Sequence, residues 1–187
     1  PGAGTSSIYR RFFDPIKYRI ILFDQRGSGK STPYGSINNN TSQKLIEDIK
    51  SILDFLDIKK TIIYGGSWGS TLALLFSQKH PSYVYSMVLR GIFLCRKSDI
   101  MWFYQHGAHE VFPDYWSEFI SLIPDEERSD ILLAYHKRIH GDDLELSREL
   151  CKRWAIWEGR CSTLHPSNDV INQFDECAIS LSKIETH

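Results

Sequence analysis

The sequence has no excess of either charge: 22 Lys and Arg stand against 23 Asp and Glu, for a formal net charge of −1. Nucleic acids and anionic membranes are bound by clustered basic surface, so neither is expected as a partner. The four cysteines, Cys95, Cys151, Cys161 and Cys177, include no C-x-x-C pair and no metal-type spacing with histidine. They read as free thiols of a reducing compartment, which places the protein in the cytoplasm. No apolar run approaches the roughly 20 residues that cross a bilayer, and no signal peptide is visible, although the chain opens at Pro1 rather than Met. Internal repeats are absent, and no strand pattern follows Leu89. No metal or cofactor is implied.

What is present is a globular composition, 42% hydrophobic and 24% charged over 187 residues, enough for one domain with a real core. Residues 19–24 (R-I-I-L-F-D) form a continuous apolar run with β-branched members, the pattern of a strand buried on both faces. Residues 42–56 place Leu45, Ile46, Ile49, Ile52, Leu53 and Leu56 at helical spacing, with Thr41 or Ser42 as N-cap. A second short buried strand is read over 61–64, a helix over 69–79 ended by His80-Pro81, and a third strand over 83–89. Strand–helix–strand alternation predicts a parallel sheet with right-handed crossovers. Beyond about Cys95 the patterns are helical, notably 115–122, 129–140 and 144–157. The expected organisation is a sheet-forming core portion over 1–94 followed by a helical cap over 95–187. Aromatic residues concentrate at 102–116 and around Trp154 and Trp157; they read either as a packed helical core or as the lining of a pocket.

The strongest chemical signal is G-G-S-W-G-S at positions 65–70. Gly65, Ser67 and Gly69 satisfy G-x-S-x-G, between an apparent strand (T-I-I-Y) and an apparent helix (T-L-A-L-L-F). A strand-to-helix turn this sharp holds the serine in a strained conformation, and flanking glycines let neighbouring backbone approach. Ser67 is therefore the expected nucleophile. The backbone N–H of Trp68, at a helix head, is the expected oxyanion-hole donor. A decoy sits upstream: residues 27–31 (G-S-G-K-S) look like the end of a phosphate-binding loop. The full motif needs Gly where Asp24 stands, and Pro33 and Gly35 break the helix it would have to enter. Nucleotide binding is rejected.

Together, D-Q-R-G-S-G-K-S (24–31), G-G-S-W-G-S (65–70), L-R-G-I-F (89–93) and W-x-x-W-E-G (154–159) resemble the proline iminopeptidases, or prolyl aminopeptidases, of the α/β-hydrolase fold. The opening P-G-A-G resembles the tail of that family's oxyanion loop. The resemblance runs along essentially the whole chain. It implies release of N-terminal proline from short peptides through an acyl-enzyme on Ser67. It also implies a cap whose Glu158 and Glu185 hold the substrate's free amine, with Phe93 against the proline ring, Phe103 and Tyr104 lining the same pocket, and Arg90 steadying the site. A serine hydrolase also needs a general base and an orienting acid on loops after later strands, and none of the histidines (His80, His106, His109, His136, His140, His165, His187) stands in such a place. The chain therefore reads as a fragment truncated at both ends, expected to be nearly inactive alone. Two other readings fit less of the pattern: a capped esterase or amidase, and a non-catalytic remnant of the fold.

Overall fold

A computed structural model of the chain describes residues 1–165 and 167–187. By internal packing the chain forms two compact units, one of Pro1–Ile37 with Ala108–His187, the other of Asn38–Gly107. The 94/95 boundary read from the sequence marks where strands give way to helices. The last strand ends at Arg90, and every later element among the described residues is helical.

The unit Asn38–Gly107 runs α1 (Ser42–Phe55), β1 (Thr61–Gly66), α2 (Trp68–Lys79), β2 (Val84–Arg90) and α3 (Lys97–Tyr104). Thr41 starts α1: its backbone is extended and its side chain accepts the Lys44 N–H at 3.3 Å, satisfying a donor that the first turn leaves open. The helix ends in a Schellman turn. Asp57 adopts φ 53°, its N–H reaches Asp54 O at 3.0 Å, and the Ile58 N–H reaches Leu53 O at 2.8 Å. Ile58 is thereby returned to a core built from Leu45, Ile46 and Leu53 of α1 and Leu72 and Phe76 of α2. Of the six apolar positions read from the sequence here, Leu45, Ile46 and Leu53 are buried and Ile49, Ile52 and Leu56 half-buried.

Strands β1 and β2 are parallel neighbours, with Gly65 opposite Leu89 and Gly66 opposite Arg90, and α2 is the crossover between them. The first was expected to be buried. Instead β1 is half-buried and β2 largely exposed, with Tyr85 at 76%. Apolar content alone signals burial, but cover depends on what packs on each face, and within this unit α2 is the helix laid against the sheet.

Residues 19–24 correct the sequence reading. They form no strand, and Leu22 is exposed. An apolar run supplies side chains to bury; it does not supply the neighbouring N–H and C=O groups that complete a ladder. Among the described residues the sheet has two strands, β1 and β2.

The other unit joins the N-terminal loops to α4 (Ala108–Val111), α5 (Pro113–Ile120), α6 (Ile131–Ile139), α7 (Leu144–Cys161), α8 (Asn168–Glu176) and α9 (Ala178–Glu185). Helix α7 packs on α5, α6, α8 and α9. Asp130, Asp143 and Ser167 cap α6, α7 and α8 through their side chains. Phe119, Tyr135, Trp154 and Trp157 are each at most 2% exposed; Phe119 stacks on Tyr135 and Trp157, and Trp154 meets Tyr135 edge-on. The Tyr135 hydroxyl donates to Phe119 O at 2.6 Å, and its pKa is driven upward by burial. These aromatics are core, not pocket lining. Among the described residues no helix is long and apolar enough to cross a membrane.

Candidate active site

The turn from β1 into α2 carries the G-x-S-x-G residues. Ser67 stands between them at φ 51°, ψ −123°, a conformation that costs a non-glycine residue about 1–3 kcal/mol. It persists because both of its backbone polar groups are held. The Ser67 N–H donates to Arg90 O at 3.1 Å, and the Ser67 carbonyl accepts the Ser70 N–H at 2.9 Å and the Ser70 hydroxyl at 2.6 Å. The Ser67 side chain makes no capping bond to α2, and the residue is exposed. A hydroxyl held at the head of a helix, outside the packed interior, is the geometry that nucleophilic attack requires. Trp68 is the first residue of α2, where backbone N–H groups point out of the helix along its positive end.

The two motif glycines are not equivalent. A Cβ on Gly65 would lie 2.3 Å from Gly69 O and 2.6 Å from its carbonyl carbon, so the sharpness of the turn depends on its absence. A Cβ on Gly69 would meet nothing within 4 Å. The expectation that both glycines relieve backbone crowding holds only for Gly65. Gly66 meets the Arg90 side chain instead, its notional Cβ 3.1 Å from Nε.

Arg90 touches the elbow twice: its carbonyl takes the Ser67 N–H, and its Nε donates to the Tyr64 hydroxyl at 3.0 Å. Phe93 follows in the loop after β2 and is half-buried. Its N–H donates to Ser70 Oγ at 3.1 Å, and its carbonyl accepts from Thr71 Oγ1. Phe103 and Tyr104 close α3 with their rings edge-on, 4.8 Å apart. Sequence reasoning missed Ser70 and Thr71. Their signal was present as two adjacent hydroxyls at the head of a helix that is otherwise apolar there.

Glu158 and Glu185 belong to the other unit. Glu185 ends α9 and accepts the indole N–H of Trp154 at 2.8 Å. Trp154 and Glu158 are four residues apart on α7 and so lie on one face of it. Burial pushes the Cys177 thiol up to about 11, and both carboxylates, Glu185 more than Glu158, add to that shift. The structure thus brings Glu158 and Glu185 to bear on one neighbourhood. Both are half-buried rather than solvated surface glutamates.

Three of the histidines have ring partners within their own unit. His80 packs its ring on Phe76 and Tyr83 at the far end of α2, about 18 Å along the helix from its head. His136 Nδ1 lies 2.7 Å from Thr186 O, and His140 Nε2 lies 3.1 Å from Thr186 Oγ1. Burial lowers the His140 pKa, and the neighbouring His136 and His187 lower it further.

The loop that resembled a phosphate cradle is already filled. Asp24 Oδ2 accepts the Lys30 N–H at 2.8 Å, while Oδ1 accepts the Thr5 N–H at 2.6 Å and the Thr5 hydroxyl at 2.8 Å. A Cβ on Gly29 would lie 2.4 Å from the Asp24 carboxyl carbon. Of the backbone donors in the loop, the Lys30 N–H faces a carboxylate of the chain itself, and those of Ser28 and Ser31 donate to Gln25 O and Ser28 O. Burial acts to raise the Asp24 pKa, but the hydrogen bonds from Lys30 and Thr5 outweigh it, and the group is held below its ordinary 3.8. A depressed folded-state pKa contributes stability that is fully present above the unfolded value and lost as pH falls through the lower one. The thermal stability of the complete protein should therefore fall below about pH 4. Asp24→Asn should be less stable at pH 7 and show a flatter acid limb, checked by calorimetry from pH 7 to 3. Among the described residues no group of three or more His, Cys, Asp or Glu converges as for a metal.

Comparison with known proteins bears on this geometry. The profile of the alpha/beta hydrolase fold family matches residues 2–121. The chain belongs to the α/β-hydrolase fold family. Within that family it is similar over its whole length to curated relatives. It is 46% identical to the probable proline iminopeptidase of Leptolyngbya boryana, covering 59% of that protein. It is 47% identical to the proline iminopeptidase of Arabidopsis thaliana, covering 50%, and 43% identical to that of Xylella fastidiosa strain 9a5c, covering 60%. This α/β-hydrolase chain thus spans 50–60% of the length of these relatives.

Proposed function

We propose that the protein to which this sequence belongs is a serine aminopeptidase that releases N-terminal proline from short peptides. The observation that carries the proposal is the full-chain identity of 43–47% to proteins named proline iminopeptidases, joined to a serine presented on a strained strand-to-helix turn. In this reading Ser67 Oγ attacks the carbonyl of the N-terminal prolyl residue, and the Trp68 N–H stabilises the oxyanion that forms. The acyl-enzyme is then hydrolysed. The base and its orienting acid come from the part of the relatives' length that this chain does not span, so residues 1–187 alone should be nearly inactive.

Residues 95–187 belong to the cap. Glu158 and Glu185 bind the secondary ammonium of the substrate; a charge-assisted pair in a half-buried setting is worth more than a solvated one. Phe93 packs on the proline ring, Phe103 and Tyr104 line the pocket, and Arg90 steadies the elbow. Free cysteines throughout the chain support a cytoplasmic setting.

The test compares a prolyl amide with a simple acyl ester on the complete protein. Glu158→Gln should raise KM for the amide about 10- to 100-fold, the scale of a charged hydrogen bond, and leave ester hydrolysis within about twofold. Equal losses on both substrates, or ester hydrolysis without prolyl amide hydrolysis in the parent protein, would replace this reading with that of a general esterase or amidase.

A further inference from the structure

Two hydroxyls in the first turn of α2 have no role in the chemistry above. Ser70 is 0% and Thr71 8% exposed, and buried hydroxyls require partners. Both find them on the loop after β2. Ser70 Oγ lies 2.6 Å from Ser67 O and 3.3 Å from Phe93 O. Having one proton, it donates to the nearer carbonyl, that of Ser67, and accepts the Phe93 N–H at 3.1 Å. Thr71 Oγ1 donates to Phe93 O. Both backbone groups of Phe93 are therefore tied to adjacent side chains of α2, and one of those side chains also holds the carbonyl of Ser67.

The loop's other polar ties lie toward its far end, where the Arg96 N–H and guanidinium bond the Asp99 carboxylate, and little of its apolar surface is buried. Ile92 is 65% and Leu94 45% exposed, and Gly91 and Cys95 both take positive φ, +49° and +54°. A segment with little buried apolar surface of its own takes its position from its polar ties.

We infer that Ser70 and Thr71 are positioning residues that latch the Phe93 loop to the nucleophile elbow, so that the ring meeting the substrate and the attacking oxygen are held in one fixed relation. The inference rests on the aminopeptidase reading for the role of Phe93, and on geometry alone for the latch. Thr71→Val keeps the shape of the side chain and removes its donor; Thr71→Ser keeps the donor and removes a methyl. Ser70→Ala removes the hydroxyl's bonds to the Ser67 carbonyl and the Phe93 N–H together, leaving the Ser67 carbonyl with the backbone N–H of residue 70 alone.

The experiment uses the complete protein, well below each variant's unfolding temperature. It measures kcat and KM for a prolyl amide and the rate of Ser67 labelling by a fluorophosphonate. Thr71→Val should raise KM about tenfold with kcat within about threefold, and Thr71→Ser should restore it; removal of uniform binding moves KM in this way. Ser70→Ala should slow labelling about tenfold. Thr71→Val and Thr71→Ser both matching the parent in KM would overturn the latch, as would Ser70→Ala lowering the unfolding temperature while labelling at the parental rate. If Ser70→Ala does not fold, the Thr71 pair decides. A parent protein that labels at Ser67 but ignores prolyl amides would sink the substrate reading, and the Ser70 labelling comparison would still decide the latch.

Discussion

Ser67→Ala in the complete protein should lower prolyl amide hydrolysis by at least about 10⁴-fold, the scale seen when an acyl-transfer nucleophile is removed, and abolish fluorophosphonate labelling. The reason lies in how little else the hydroxyl does. It caps no helix, so its loss leaves the packing of α2 on β1 intact, and unfolding should shift by no more than about 0.5 kcal/mol. Ser67→Gly should be equally inactive and yet more stable than Ser67→Ala, because φ 51° is strained for any residue bearing a Cβ. A Ser67→Ala protein that retains even a tenth of the parental turnover would remove Ser67 from the chemistry. An alanine variant as stable as the glycine variant would remove the strain argument.

Gly65→Ala should produce the second largest loss. Its Cβ would sit 2.3 Å from Gly69 O, well inside contact distance, and the atoms it meets are backbone at the start of α2, with no flexible side chain to swing aside. Either β1 or the helix head must shift. A displacement near 1 Å at a reacting group costs about 100-fold in rate, and overpacking of this kind costs about 1–3 kcal/mol in stability. Turnover and thermal unfolding of the complete protein measure both. Gly69→Ala, whose Cβ meets open space in this chain, should lose far less. Similar losses at the two positions would show that the crowding at Gly65 is not what fixes the turn.

The elbow was legible because its signal is local. Three residues of a five-residue pattern, a β-rich segment before and an apolar helical segment after, all describe one turn. The parallel pairing of β1 and β2 through α2 followed from the same alternation. Residues 19–24 misled for the opposite reason: a strand is a relation between two segments, and a single apolar run carries half of that information. The decoy at 27–31 was rejected because Asp24 stands where a glycine belongs. Only the structure reveals that this aspartate crowds Gly29 and takes the Lys30 N–H for itself. The pair Ser70 and Thr71 was overlooked because a hydroxyl near a helix head is ordinary; its meaning depends on Phe93, more than 20 residues away. Glu158 and Glu185 were named through family resemblance alone, since neither spacing nor composition links α7 to the end of α9.

With its amide hydrogen fixed by Arg90 and its carbonyl by Ser70, Ser67 has nearly every internal coordinate settled before a substrate arrives. What is left is a single torsion, the swing of the oxygen about Cα–Cβ among three staggered settings. Any partner that removes the proton must find the oxygen in one of those settings, so the search that precedes reaction is a three-way choice instead of a rearrangement of the main chain.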